Sequence, residues 1–232
     1  MKPRKIDVIA RDAYVWCVSL EADKGSLESF QECLSEDERN KIKRLRFEKA
    51  RNNFIAARYY LRVIVAPYLN TKPENLEFQY GPYGKPLLAG KFESTGICFN
   101  MSHSHGLALY AVTSGQAVGV DIEKVRPDPD CIKIAERYFS PQEVEALRKL
   151  SKDQQRQGFF NCWTRKEAYL KAKGEGFSSP ADQFQVSLTP GEPAALLGHR
   201  LDSKEVAKWS IEDLDVGSGY TAALAVEVPK SA

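Results

Sequence analysis

Histidine is scarce in this chain, with three in 232 residues, and none of the three falls within an acidic motif. A metal site here must therefore be built from oxygen ligands, the chemistry of a hard cation. Cysteine is thinly spread: Cys17, Cys33, Cys98, Cys131 and Cys162 are odd in number and form no CxxC pair. That excludes the usual zinc spacing and argues against a disulfide framework. The five read as reduced, partly buried thiols, and Cys17 and Cys98 lie in apolar strand-like runs that suit a small hydrophobe. Long apolar runs are missing as well. Nothing approaches the ~18 residues that span a bilayer, and the first residues carry charge without an apolar signal region, so a cytoplasmic, membrane-free location is expected. Charge of one sign is not in excess either: the net charge is +2, so no overall field marks a nucleic-acid binder. No Gly-x-Ser-x-Gly elbow is present for a Ser/His hydrolase.

What is present is apolar content enough for one large or two small domains. Tyr14 to Leu20 reads as a strand and Ser26 to Leu34 as a short helix. Ser35-Glu-Asp-Glu38 is a capping box opening a helix to about Leu45. From Ala50 to Tyr68 the apolar positions Phe54, Ala57, Leu61, Val65 and Tyr68 keep helical spacing, with Arg51, Arg58 and Arg62 beside the stripe. A short strand at Leu76 to Gln79 runs into the Gly81-Pro-Tyr-Gly84-Lys-Pro86 turn. Ile97 to Ser102 and Leu107 to Thr113 are strand-like, and Ser114-Gly-Gln is expected to join the second of them in a hairpin to a strand at Val118 to Val125. Arg126-Pro-Asp-Pro129 breaks the chain, and Ser140-Pro141-Gln-Glu143 opens another capped helix. Gln154 to Lys173 is a second long helix stopped by Gly174 and Gly176. Strands at Phe184 to Leu188, Trp209 to Leu214 and Tyr220 to Val228 complete the chain, the last two joined through Gly217-Ser-Gly219. Helices and antiparallel strands thus come in two similar series dividing near Ser114 to Gly119, although no internal repeat is strong enough to assert duplication.

Two motifs carry the chemistry. In Gly119-Val-Asp121-Ile-Glu123-Lys124 apolar and polar residues alternate, so both acids face one side of a strand. In Trp163-Thr-Arg-Lys166-Glu167-Ala-Tyr-Leu-Lys171, every fourth residue places Trp163, Glu167 and Lys171 on one helix face. Asp121, Glu123 and Glu167 suit Mg²⁺, with Mn²⁺ as a substitute, although exposed acidic alternation on an edge strand is the plain alternative. Phe99-Asn100-Met101-Ser102-His103-Ser104 offers a hydroxyl and an imidazole where a strand ends, a place for an anionic ligand, or else His103 is a satisfied core histidine. Lys49, Arg51, Arg58, Arg62 and Lys85 supply positive charge ahead of the acids. A ligand carrying several phosphates would need both kinds of charge.

In these motifs, Gly119 to Glu123, Trp163 to Lys171, Asn100 to His103 and Gly84-Lys-Pro86, the chain resembles the Sfp-type 4′-phosphopantetheinyl transferases. The likeness covers about residues 12 to 228, with flanks from the Tyr14-Val-Trp-x-Val strand to the Ala57-Arg-Tyr-Tyr-Leu-Arg62 helix. It implies an α+β fold with a pseudo-two-fold arrangement of two similar halves, each an antiparallel sheet on a long helix. Residues 1–114 would form the coenzyme A 3′-phosphate and adenine side, and residues 115–232 the metal and catalytic side. It also implies transfer of the 4′-phosphopantetheine arm of coenzyme A to a serine of an apo acyl or peptidyl carrier protein, releasing adenosine 3′,5′-bisphosphate.

On that resemblance Asp121, Glu123 and Glu167 would hold Mg²⁺ against the pyrophosphate, and Lys171 and His103 would touch phosphates. Lys85 and Pro86 would lie near the adenine and 3′-phosphate end, with Ser102 lining the pocket. Glu167 is the candidate base for the serine proton. The chain departs from denser basic clusters of its relatives at Asn52 and Asn53, leaving Lys49, Arg51 and Arg58 as alternatives for the 3′-phosphate, with Arg58 equally a partner for a core acid. Arg148 and Lys149 are candidates, by charge, for docking an acidic carrier. Two halves in one chain make a monomer sufficient. The competing functions are a metal-dependent phosphodiesterase or nuclease using the same acids, and a nucleotide- or RNA-binding module on the Lys41 to Arg62 face.

Overall fold

The computed structural model describes residues 3–10, 12–127, 130–175 and 181–229. Gly176 and the Asp128-Pro129 pair lie outside them. The N-terminal series runs β1 (Arg4–Ile6), β2 (Ala13–Ser19), α1 (Lys24–Glu32), α2 (Glu36–Arg44), α3 (Glu48–Val65), β3 (Phe78–Tyr80), β4 (Pro86–Leu88), β5 (Ile97–Ser104) and β6 (Leu107–Ser114). The C-terminal series runs β7 (Val118–Lys124), α4 (Cys131–Tyr138), α5 (Pro141–Lys149), α6 (Lys152–Lys173), β8 (Phe184–Val186), β9 (Leu196–His199), β10 (Trp209–Asp213) and β11 (Tyr220–Glu227). The result is an α+β fold in two halves. Strands β1-β2-β6-β5 form one antiparallel sheet and β10-β11-β7 another.

Local signals account for the helices. Glu38 accepts from the Ser35 backbone N–H at 3.0 Å, as a capping box requires. Ser140 and Glu143 cap α5 reciprocally, with Pro141 in the first turn. Gly174 closes α6 at φ 75°, a left-handed conformation that a side chain would strain. The expected stripe on α3 is buried at Ala57, Leu61 and Val65, and the buried Tyr110 hydroxyl of β6 donates to Ala57 O at 2.9 Å, fastening helix to sheet. The turn from Gly81 to Lys85 joins the paired β3 and β4. Its first strand begins two residues later than expected because Pro73–Asn75 is wound as a short 3₁₀ turn and Leu76 caps it.

One expectation fails. Residues Ser114 to Gln116 do not make a hairpin between β6 and β7. Both edges of β6 are already taken, by β2 and β5, and β7 pairs instead with β11 from the end of the chain. The hairpin that β6 does make is with β5, through His105 at φ 45° and Gly106 at φ 86°. Positive φ at both central residues is the two-residue turn whose twist matches a β-hairpin.

Three apolar clusters follow from this layout. One lies between α1, α3 and the first sheet, around Leu61, Val65 and Phe99. A second lies around α6, with Leu147, Phe159 and Leu170. The third joins the two sheets, with Val15 and Leu109 against Val120, Ile122 and Leu224. Burial between the sheets locks the halves together at roughly 25 cal/mol per Å² of apolar surface removed from water. All five cysteines are free thiols, with Cys17 and Cys162 buried. Among the described residues no helix is long and apolar enough to cross a membrane.

Candidate active site

The site begins with a missing side chain. A Cβ on Gly119 would stand 2.0 Å from Ala168 O and 2.4 Å from Ala172 N. Only glycine lets β7 lie directly on α6, which brings the Asp121 strand against the Glu167 and Lys171 helix.

Strand β5 supplies the other wall. Its alternate side chains reach across to β7: Asn100 Oδ1 accepts from Val120 N at 2.9 Å, Ser102 Oγ donates to Asp121 Oδ1 at 2.8 Å, and Ser104 Oγ donates to Glu123 Oε2 at 3.0 Å. The edges of the two sheets are thus joined by side chains, and those bonds hold both carboxylates. Both acids of β7 face β5, as their alternation predicts.

Lys171 completes the centre. Its ammonium donates to Asp121 Oδ1 at 2.6 Å and to Ser102 Oγ at 3.0 Å. Burial alone would lower the Lys171 pKa, but Asp121 and then Glu167 outweigh it and hold the ammonium above its usual range. Burial raises Glu123, and the neighbouring Asp121 charge adds to the rise. Burial also pushes Glu167 up to about 7, against the pull of Lys171 and with the help of Asp121 and Glu123.

Glu167 and Lys171 stand at one end of a cleft of about 490 Å³ between the halves, with Asp121 bonded to Lys171 behind it, while Glu123 opens onto a smaller pocket beside Arg126 and Trp163. Ser102, His103, Glu167 and Lys171 line that end, and Lys85, Pro86 and Gly84 the floor. Lys41, Phe54, Arg58, Tyr80 and Tyr83 line the far end. Burial, reinforced by Lys171, lowers the His103 pKa and favours a neutral imidazole. Lys85 Nζ donates to Lys171 O at 2.6 Å, tying the β3–β4 turn to the last turn of α6. Burial lowers its pKa too.

Of the residues expected from sequence, Lys85, Pro86, Ser102, His103, Glu167, Lys171 and Arg58 meet in this cleft, with Asp121 and Glu123 behind its wall. Lys49 is exposed and does not line it. Arg51 caps the α2–α3 turn, donating to Leu45 O and Arg46 O at 3.0 Å each, and faces a separate groove beside α1. Arg58 stands on the cleft wall, but its guanidinium is paired with Glu38 inside the protein and donates to the Tyr80 hydroxyl at 3.1 Å. Trp163 packs edge-on against Tyr138, centroids 5.9 Å apart, and holds α6 to the C-terminal core. Arg148 and Lys149 are engaged on the surface with Glu136 and Glu145. Lys41, Tyr80 and Tyr83 are cleft residues that the sequence reading missed. Lys41 was legible as charge within a basic cluster, and Tyr83 as part of the Gly81 to Pro86 turn, but neither signal says which way a side chain points.

Among the described residues no three His, Cys, Asp or Glu side chains converge on a common metal position; the Lys171 ammonium is instead seated on Asp121. The donor set nevertheless fits a hard divalent cation. Asp121 Oδ2 is buried without a hydrogen-bond partner, and Glu123 and Glu167 are carboxylates whose protonation is favoured by burial and mutual repulsion. A cation beside them would remove that repulsion.

An acid cluster and a lysine beside a basic, aromatic cleft have the mixed charge that suits a phosphorylated ligand. The profile of the 4′-phosphopantetheinyl transferase superfamily matches residues 117–225, and that of a 4′-phosphopantetheinyl transferase N-terminal region matches residues 21–115. The chain is 36% identical to the 4′-phosphopantetheinyl transferase HetI of Nostoc sp., over 97% of this chain and 92% of that one. It is 30% identical to the 4′-phosphopantetheinyl transferase Sfp of Bacillus subtilis, over 69% of each. It is 26% identical to the L-aminoadipate-semialdehyde dehydrogenase-phosphopantetheinyl transferase of Mus musculus, over 83% of this chain and 67% of that one. The chain belongs to the 4′-phosphopantetheinyl transferase superfamily and is a transferase.

Proposed function

We propose that this transferase moves the 4′-phosphopantetheine arm of coenzyme A onto a serine of an apo acyl or peptidyl carrier protein, in a Mg²⁺-dependent reaction that releases adenosine 3′,5′-bisphosphate. Glu167 and Lys171 at one end of a basic, aromatic cleft, with Asp121 paired to Lys171 and Glu123 two residues along the same strand, support this most directly. Residues 1–114 provide the adenine and 3′-phosphate end, where Lys41, Arg58 and Tyr83 stand, and residues 115–232 the reacting end. The protein works in the cytoplasm as a monomer, since one chain already encloses the cleft.

Asp121, Glu123 and Glu167 would hold Mg²⁺, or Mn²⁺ in its place, which when bound neutralises charge on the pyrophosphate oxygens. Lys171 adds a fixed positive charge at the same phosphates, and neutral His103 donates a hydrogen bond. Lys85 and Pro86 orient the ligand along the floor. The carrier serine oxygen forms a bond to the phosphorus that bears the pantetheine arm, and the bond from that phosphorus to the bridging oxygen breaks. The serine proton passes to Glu167, directly or through a water, because Glu167 is the carboxylate carried beside Lys171 on α6.

Mass spectrometry of a panel of purified apo carrier proteins, incubated with the enzyme, coenzyme A and Mg²⁺, tests this. One or more carriers should gain the mass of the arm, and omission of the metal should abolish the gain. A chain that instead cleaves phosphodiesters without modifying any carrier is a phosphodiesterase.

A further inference from the structure

The hydroxyl of Ser104 is placed where nothing in the transfer step yet uses it. It is buried, 7% exposed, at the last position of β5. Its proton goes to Glu123 Oε2 at 3.0 Å, a lone pair accepts from the backbone N–H of Lys124 at 3.2 Å, and His105 Nδ1 lies 3.1 Å away. A serine hydroxyl has one proton and two acceptor sites, so here the carboxylate takes the proton and the Lys124 N–H takes one lone pair. The bond from Lys124 N fixes the hydroxyl to the backbone of the residue after Glu123. The hydroxyl in turn fixes one carboxylate oxygen of Glu123, a side chain with enough free torsions to lose its aim without it.

We infer that Ser104 is a positioning residue for the transfer reaction, holding the Glu123 carboxylate in the orientation that binds the metal at the pyrophosphate; this rests on the transferase function proposed above. The type of turn that follows supports the assignment. His105 and Gly106 adopt left-handed conformations that end β5 sharply, and Tyr220 of β11 donates to His105 O at 2.9 Å. The end of β5 is therefore pinned from both halves, so that Ser104 has a fixed place from which to act. Ser102 holds Asp121 in the same way, but it also touches Lys171 and the cleft, whereas Ser104 does not line the cleft. Ligands held through a hydrogen-bonded neighbour usually lose 10- to 100-fold in metal affinity or activity when that neighbour is removed.

The full chain carrying Ser104→Ala, Ser104→Cys or Ser104→Thr provides the test. Mn²⁺ binding, followed by electron paramagnetic resonance on the protein without coenzyme A, should weaken roughly 10- to 100-fold in Ser104→Ala. In transfer assays kcat should fall and the Mg²⁺ requirement rise, with KM for coenzyme A little changed. Ser104→Cys preserves size and weakens the donor, so it keeps the test open if the alanine protein unfolds, and it should fall between alanine and wild type. Ser104→Thr keeps the hydroxyl and should recover both readouts. Wild-type Mn²⁺ affinity and kcat in a folded Ser104→Ala or Ser104→Cys protein would overturn the assignment, as would a folded Ser104→Thr protein no better than Ser104→Ala. A wild-type enzyme that modifies no carrier would overturn the transferase function instead, and the Mn²⁺ measurement would still decide whether Ser104 orients Glu123.

Discussion

Each half of the molecule buries the glutamate of a capping box against a cation on its long helix, and the two halves do it differently. In the N-terminal half Glu38, 1% exposed, receives Arg58 and Arg62 from α3. In the C-terminal half Glu143, 3% exposed, receives the wholly buried Lys166 from α6 at 2.8 Å. Two planar guanidiniums can share one carboxylate because each offers a fixed fork of donors. A single ammonium cannot, so Lys166 spends its remaining protons on Ala181 O and Phe184 O at 2.7 Å each, and Glu143 takes Ser140 N and Val186 N at 2.8 Å each. In the first half the ion pair reaches the cleft wall at Arg58. In the second it is turned wholly into the core, and the next residue, Glu167, is turned about 100° around the helix towards the cleft. Structure and chemistry are therefore merged on α3 and separated on α6.

The separation on α6 predicts the largest contrast. Glu167→Ala should leave the fold intact and cost on the order of 10²–10⁴ in transfer rate, since in the reaction proposed above Glu167 is both base and metal ligand. A carrier mass-gain assay beside thermal denaturation checks it, and near-normal transfer would remove Glu167 from the site. Its neighbour should behave in the opposite sense. Lys166→Ala leaves Glu143 charged and unpaired in the core, a loss of roughly 3–5 kcal/mol, visible as a greatly lowered urea midpoint. If that variant were stable and slow, the division of labour along the helix would be wrong.

On α3 the same experiment should give a smaller and mixed result. Arg58→Met leaves Arg62 on Glu38, with its further bonds to Pro73 O and Leu76 O at 3.0 and 2.9 Å. The expected loss is about 1–3 kcal/mol, well below that of Lys166→Ala. Calorimetric titration of the same protein with coenzyme A separates the two roles: a weaker affinity would assign Arg58 to the ligand as well as to the core.

How much of this was legible in the sequence follows from the range of each interaction. Both capping boxes could be read because a cap is made within four residues, and β7 because alternation is local. Of their buried cations only Arg58 could be offered as a partner for a core acid; Arg62 and Lys166 could not, since nothing near Ser35 or Ser140 says which residue of the following long helix will arrive. The hairpin from β6 to β7 was misread for the same reason: chain neighbours usually pair, but the partner of β7 is β11, a strand far along the chain. In the site, Asp121, Glu123, Glu167 and Lys171 were found because each motif carries its own periodicity. Lys49 and Arg51 were chosen by charge alone, and charge does not say which face of α3 a side chain takes. The Gly119 contact with α6 was invisible, because its cause is a backbone approach between distant elements.

His103 distinguishes the cleft from the core at a lower level of effect. Its ring opens to solvent near the end of β5, yet the walls of the cleft desolvate it enough that, with Lys171 beside it, its pKa is lowered. His103→Ala should weaken coenzyme A binding by roughly tenfold, the loss of a hydrogen bond of about 1.5 kcal/mol to a charged group, and leave the melting temperature unchanged. Unchanged calorimetric affinity would make it a structural residue.

The smallest expected effect is a pH limb belonging to the C-terminal half. Burial would raise the Glu205 carboxyl, but bonds from Lys208 at 2.6 Å, Tyr169 at 2.9 Å and Trp209 at 3.1 Å outweigh it and hold the group down to about 2. A carboxyl depressed in the folded state stabilises it at pH values above its unfolded pKa, and that contribution disappears as pH falls through the folded value. For Glu205 the window lies between about 4.5 and about 2. Urea titrations across this window should show wild-type stability falling with acid more steeply than that of Glu205→Gln, whose amide does not titrate. The two proteins should converge at the acid end. Parallel curves throughout would mean that the Glu205 bonds to Lys208, Tyr169 and Trp209 favour the ionised and protonated forms equally.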